Sequence, residues 1–213
     1  MKFAMSYSCG KDSALAMHKL IKAGHTPVCL IVTVNKDAKR SWFHDADNTL
    51  LNKVSTATGI PLIMAQCSGE EYESAFEDAL RQAKTLGAEC AAFGDIDIDG
   101  HLEWNRSRCA AAGLEYTMPL WGMSRTDAVD ELLSEGFTAH IKIVDKTFLD
   151  ASFLGLALSD AVIERIATTG ADICGENGEY HTFVSDGPIF KSPVHIEIGE
   201  VIDLGTHAVI DMR

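Results

Sequence analysis

The chemistry of this chain is densest at Ser8-Cys9-Gly10-Lys11-Asp12-Ser13, where hydroxyls, an amine, a carboxylate and a glycine fall within six consecutive positions. The apolar run Phe3-Ala4-Met5 precedes them, and Ala14-Leu15-Ala16-Met17 follows, continuing to Leu20 and Ile21 at helical spacing. The order is strand, tight polar loop, helix. A helix starting there aims its unpaired N–H groups and the positive end of its dipole into the loop. Lys11 adds a full charge and Ser8 and Ser13 add hydroxyl donors, so the natural occupant is an anion, above all a phosphate group. This is not the Walker loop, G-x-x-x-x-G-K-[ST]: Asp12 follows Lys11, and Met5 stands where that motif has its first glycine. Helix capping by Asp12 or Ser13 alone explains neither the lysine nor the paired serines.

Three further clusters carry polar chemistry. Gly94-Asp95-Ile96-Asp97-Ile98-Asp99-Gly100 has the opening of a calcium loop, but the twelfth position counted from Asp95 is Arg106, which cannot ligate a cation. What remains is an acidic loop after a strand, in which Asp95 is the candidate for Mg²⁺ or a cationic substrate group. Cys174-Gly175-Glu176-Asn177-Gly178-Glu179-Tyr180-His181-Thr182 puts two carboxylates, an amide, a phenol and an imidazole into one short segment. It reads either as a site loop or as a plain Asn-Gly hairpin with solvated glutamates. In Trp104-Asn105-Arg106-Ser107-Arg108, the spacing lets Arg108 lie along the Trp104 ring. Arg106 points elsewhere, and a surface helix with two solvated arginines is the alternative. No zinc spacing appears among the histidines or cysteines.

The elements that must position these groups alternate. Strands are predicted at 3–8, 27–34, 60–66 and 89–94, and helices at 13–23, 46–58, 70–86 and 102–112. Gly24, Gly59, Gly87 and Gly113 stand where those helices should stop. Such alternation implies a parallel sheet covered on both faces, with ligands bound beyond the carboxyl ends of its strands. The second half is less regular: a helix over 124–135, a strand over 138–144, a helix over 159–168, and an alternating strand at 194–198. This reads as a smaller C-terminal α+β lobe, dividing the chain into 1–100 and 101–213.

Composition narrows the partners. With 213 residues, 46% of them hydrophobic, the chain buries a real core. No stretch approaches the roughly 20 apolar residues of a membrane span, and no signal peptide is visible. Six scattered cysteines fit a reducing cytoplasm. A net charge of −13 disfavours nucleic acid, which needs a basic surface.

The segment 8–13 resembles the PP-loop, S-G-G-x-D-S, of ATP pyrophosphatases, with Cys9 at a position usually held by glycine. Taken in order, Gly94-Asp95-Ile96, Arg106-Ser107-Arg108, Pro119-Leu120-Trp121, Phe153-Leu154-Gly155, the G-E-N-G-E-Y-H-T string at 175–182 and Asp186-Gly187-Pro188 extend the likeness. The chain resembles the diphthine–ammonia ligase family over nearly its whole length, although Trp42-Phe43-His44 departs from the family's version of that loop. The resemblance implies a Rossmann-like α/β sheet of the PP-loop/HUP type, with an ATP-binding domain at 1–100 and a substrate-binding and catalytic lobe at 101–213. It implies an ATP-dependent ligase using ATP and Mg²⁺ that adenylates a carboxylate, releases pyrophosphate and lets ammonia displace AMP. Ser8, Cys9, Gly10, Lys11, Asp12, Ser13 and Thr33 would bind the nucleotide, and Asp12 and Asp95 the metal. Lys11, Asp12, Asp95, Glu176, Glu179 and His181 would be catalytic, the last three including the groups that orient substrate or ammonia. Arg106, Arg108, Asn177 and Tyr180 would hold the acceptor. The expected partners are elongation factor 2 bearing diphthine, free ammonia (no glutaminase domain is visible) and a second copy in a homodimer. A small carboxylate metabolite is the alternative acceptor, as a bacterial source would require. A PP-loop tRNA-modifying enzyme and a nucleotide sensor without turnover are the remaining alternatives. Intact Lys11, Asp12, Glu176 and Glu179 argue against the sensor.

Overall fold

Phe3, Ala4 and Met5 are fully buried, and a strand apolar on both faces belongs in the middle of a covered parallel sheet. In the computed structural model, which describes residues 1–213, β1 (Lys2–Ser6) takes that central place. On one side lie β2 (Thr26–Asn35) and beyond it β4 (Leu62–Cys67); on the other lie β5 (Cys90–Ala92) and β6 (Glu115–Thr117). All of these pairings are parallel, with Met5 in register with both Leu30 and Ala92. The short antiparallel β3 (Arg40–Ser41) pairs with Val34 and Asn35, continuing the edge of β2 past the point where β1 ends. The chain runs outward from β1 to β4 and then returns to β5. The topological switch point therefore lies between the carboxyl ends of β1 and β5, the place where open α/β sheets bind ligands.

Helices cover both faces. Helix α1 (Lys11–Lys22) and α2 (Asn48–Thr58) join the larger core cluster. Helix α3 (Tyr72–Thr85) and α4 (Asp99–Ala112) bury Phe76, Leu80 and Cys109 in a smaller cluster on the opposite face. Gly59 and Gly113 end α2 and α4 at φ +71° and +68°, the left-handed cap expected of them. The C-terminal part adds α5 (Arg125–Ser134), β7 (Thr138–Asp145), α6 (Asp160–Ala167), β8 (Tyr180–Asp186), β9 (Ile198–Asp203) and β10 (His207–Met212). Its four strands form an antiparallel sheet in the order β8-β7-β10-β9. The larger cluster runs from Phe3 to Met212, so both sheets share one core.

Three elements differ from expectation. The first sheet continues past residue 100 to β6, whose partly exposed Glu-Tyr-Thr carries no strand-like apolar pattern. Helix α4 begins at Asp99, inside the acidic run, where a carboxylate in the first turn favours the dipole. The alternating run 194–198 is not a strand. Pro193 has no N–H to give a ladder, Val194 N–H bonds to Ser185 O, and β9 starts only at Ile198. No helix is long and apolar enough to cross a membrane.

Candidate active site

The loop between β1 and α1 is held by its own serines. Ser8 Oγ accepts the Gly10 N–H at 3.2 Å and lies 3.2 Å from Ser13 Oγ, whose hydroxyl donates to Gly10 O at 2.9 Å. Cys9 is fully buried at φ +68°, so the backbone there adopts the left-handed conformation natural to the glycine that usually holds the position. The first turn of α1 has no side-chain cap of its own. Thr182, 171 positions away, supplies one: its Oγ1 accepts the Lys11 N–H at 3.0 Å. The N–H groups of Asp12 and Ser13 have no acceptor in the protein, and both residues line the cavity. Gly94, two residues beyond β5, lets the first turn of α1 close on the end of that strand. A Cβ there would lie 2.7 Å from Asp12 C and Ser13 N.

Lys11 is buried, with Nζ 2.7 Å from both oxygens of Asp12 and 3.9 Å from Glu176 Oε1. Burial works against its charge, but Asp12 and the other acidic neighbours hold the amine above the ordinary lysine range. Burial and the charge of Asp12 push the Glu176 carboxyl up to about 7. Asp12, Cys174 and Glu176 each bring a ligand atom within 4.8 Å of one another. The two carboxylates suit a hard divalent cation, which would relieve their repulsion; Cys174, a thiol pushed by burial up to about 12, does not.

Lys11, Asp12 and Glu176 line a cavity of about 470 Å³ beyond the carboxyl ends of β1, β2 and β5. Gly175, Glu176, Tyr180, His181 and Thr182 form part of its wall. The segment 174–182 thus faces the phosphate loop. It is not a hairpin, because β8 pairs with β7 and no strand precedes the turn. Tyr180 donates its hydroxyl to Ile173 O at 2.6 Å and sets its ring 5.9 Å from Lys11 Nζ. His181 packs at 5.0 Å, centroid to centroid, on His44 from the β3–α2 loop. At the other end of the cavity Thr33 Oγ1 lies 3.2 Å from Tyr72 OH, beside Trp42 and Trp104.

Several expected site residues serve elsewhere. Glu179 is buried and accepts the N–H of Asn177, the Asn177 side-chain amide and the N–H of Asp172, so it shapes the turn instead of facing the cavity. Asn177 is exposed and committed to Glu179. Asp95 lines the cavity, but its oxygens are 2.8 Å from His101 Nδ1 and Asn105 Nδ2, and it stands outside the Asp12–Cys174–Glu176 group. Arg106 is turned to solvent, 3.8 Å from Glu103. Arg108 bridges to Glu73 at 2.5 Å and Glu77 at 3.0 Å, tying α4 to α3 and leaving Trp104 to pack on Phe76. Neither arginine reaches the cavity, because the helix turns both toward α3 or solvent. Residues not anticipated as site members are His44, Tyr72, Cys174 and Thr182. Of these, Cys174 and Thr182 are the two ends of the polar segment 174–182, and the Trp42-Phe43-His44 run was the only signal for His44.

Comparison with known proteins gives one family across both sheets. The family model described as diphthamide synthase N-terminal domain matches residues 1–116, and the diphthamide synthase C-terminal domain matches 125–211. The diphthine–ammonia ligase of Homo sapiens is 27% identical over 95% of this chain and 85% of its own length, and that of Bos taurus 26% over the same shares. A solved structure, described as a predicted subunit of tRNA methyltransferase from Methanocaldococcus jannaschii, aligns at TM-score 0.48 and 15% identity, covering 91% of this chain and all of that one.

Proposed function

The chain belongs to the diphthamide synthase family, and from that premise we propose that it is an ATP-dependent carboxylate–ammonia ligase whose acceptor is diphthine on elongation factor 2. The observation that carries this reading is the meeting, in one cavity, of the phosphate loop at 8–13 with Glu176, Tyr180, His181 and Thr182. A carboxylate resists ammonia because its carbon is electron-rich and its oxygen leaves poorly. Attack of that carboxylate on the α-phosphorus of ATP gives an acyl adenylate and expels pyrophosphate; ammonia then adds to the carbonyl carbon and AMP departs. The free N–H groups of Asp12 and Ser13 and the charge of Lys11 are donors fixed in advance where negative charge builds on the leaving pyrophosphate. Asp12 and Glu176 would hold Mg²⁺, which adds charge neutralisation at the phosphates when bound. Glu176 and His181 orient the acceptor or ammonia, and Tyr180 flanks Lys11.

The net charge of −13 supports a protein or small-molecule acceptor over RNA. Six free, buried cysteines support a reducing compartment, the cytoplasm. Product analysis with diphthine-bearing elongation factor 2 and ammonium tests the reading: AMP and pyrophosphate should form together with amide. ADP and phosphate as sole products would overturn it. So would tight, saturable binding of bulk tRNA at physiological salt.

A further inference from the structure

Two imidazoles from opposite halves of the chain meet beside the phosphate loop. His44 and His181 both line the cavity with Lys11, Asp12 and Glu176, their ring centroids 5.0 Å apart and their planes at 64°. His44 Nδ1 lies 2.7 Å from Thr182 O. A carbonyl only accepts, so Nδ1 carries the hydrogen and the neutral ring keeps its lone pair on Nε2. That Nε2 finds no partner in the protein, and neither does either nitrogen of His181. Burial, with Lys11 close by, lowers His44 to about 4 and His181 to about 3, so both rings stay neutral at physiological pH.

The pair is held firmly. The edge of His44 sits so close over Gly10 that a Cβ on that glycine would lie 2.3 Å from Cε1. The next residue, Asp45, is gripped by Arg40 at 2.8 Å, and Arg40 reaches Asp211 of β10 at 3.1 Å. The buried Lys142 of β7 approaches Asp45 to 3.6 Å from below.

Neutral, unpartnered acceptors at fixed positions suit one reactant above the others. Ammonia must attack with its lone pair free, which requires that its N–H bonds, not its lone pair, be taken up by the protein. A lysine or arginine would donate to that lone pair and block it. Two imidazole lone pairs accept two N–H bonds and leave the nucleophilic pair exposed. We propose that His44 and His181 together form the ammonia subsite of this protein. The proposal rests on the ligase reading above and assigns a place within that site to the nitrogen donor.

The test compares His181→Phe, which keeps a ring and removes its lone pairs, with His181→Gln, which restores an acceptor oxygen. In amide formation His181→Phe should raise KM for ammonia about tenfold or more while KM for ATP moves by less than about twofold, and should divert acyl adenylate to hydrolysis. His181→Gln should bring KM for ammonia back to within about threefold of the native protein. A rise in KM for ATP with KM for ammonia unmoved would overturn the proposal and give the pair to the nucleotide. Equal behaviour of all three proteins would overturn it too. Where the native protein forms no amide on the acceptor supplied, the ligase reading fails by itself and the subsite is read directly. Ammonium chloride, compared with potassium chloride at equal ionic strength, should then shift the imidazole nitrogen resonances of His44 and His181 saturably, and His181→Phe should abolish the shift. No ammonium-specific shift would sink the subsite.

Discussion

The two ends of the cavity are built differently. At the phosphate-loop end, contacts are directional and span the chain: Lys11 N–H to Thr182 Oγ1, Val184 N–H to Cys9 O at 2.8 Å, and His44 to Thr182 O. At the far end, Trp42, Tyr72 and Trp104 meet edge-on or tilted at about 6 Å, all drawn from the first half of the chain, with a single hydrogen bond between the Thr33 and Tyr72 hydroxyls. Aromatic contacts vary slowly with distance and tolerate small shifts. Hydrogen bonds to a helix terminus do not. The polar end thus depends on the second sheet for its geometry, while the aromatic end is a surface the first sheet makes alone.

Acid should break the polar end first. The unfolded chain binds a proton at His44 near pH 6.5, whereas the folded one resists until about 4. The stability is therefore complete above pH 6.5 and is lost as pH falls toward 4, by about 3 kcal/mol from this residue. Equilibrium denaturation across that window should show the loss, and His44→Gln should reduce it, leaving the part carried by His181, which burial lowers to about 3. Next in size, Lys11→Ala should cut turnover about a hundredfold, or about 2.7 kcal/mol, the scale of losing one preorganised donor; unchanged turnover would remove Lys11 from the chemistry. Thr182→Val should lower stability by about 1 kcal/mol through the lost cap and slow turnover by loosening the phosphate loop against β8. A thermal shift with no change in rate would show that the cross-link is only structural. At the aromatic end, Tyr72→Phe removes the Thr33 bond and should cost below about 1 kcal/mol, appearing as a rise in KM for ATP of at most about fivefold with kcat retained. Smallest of all, Arg108→Ala should lower stability by under about 1 kcal/mol, since it breaks the pairs with Glu73 and Glu77 at the surface and an exposed 3.3 Å bond to Ser107 Oγ. Acceptor KM should not move, and a large rise would return Arg108 to the site.

The contrast between the two ends also decides what could be read in advance. The phosphate loop was legible because its cause is local: an apolar strand, six polar or small residues and a helix starting at Lys11 suffice to aim a dipole at an anion. The alternation of strands and helices, and the glycines that end the helices, follow from periodicity and φ preference within a few residues. The string at 175–182 announced dense polar chemistry but not its direction. Glu176 and Glu179 are three positions apart and look alike in sequence, yet one faces the cavity and the other is folded inward by Asn177 and Asp172. Arg106 and Arg108 lie outside the cavity for the same reason, since the rotation of α4 and the carboxylates on α3 settled where they point. Thr182 capping a helix 171 positions away, and His44 lying against His181, exist only because two sheets share a core. The sequence by itself determined which groups this protein has and where its helix dipole lies, because those depend on neighbours along the chain. Which of those groups meet was decided by tertiary packing, because a side chain's direction is set by contacts that come from the other half of the molecule.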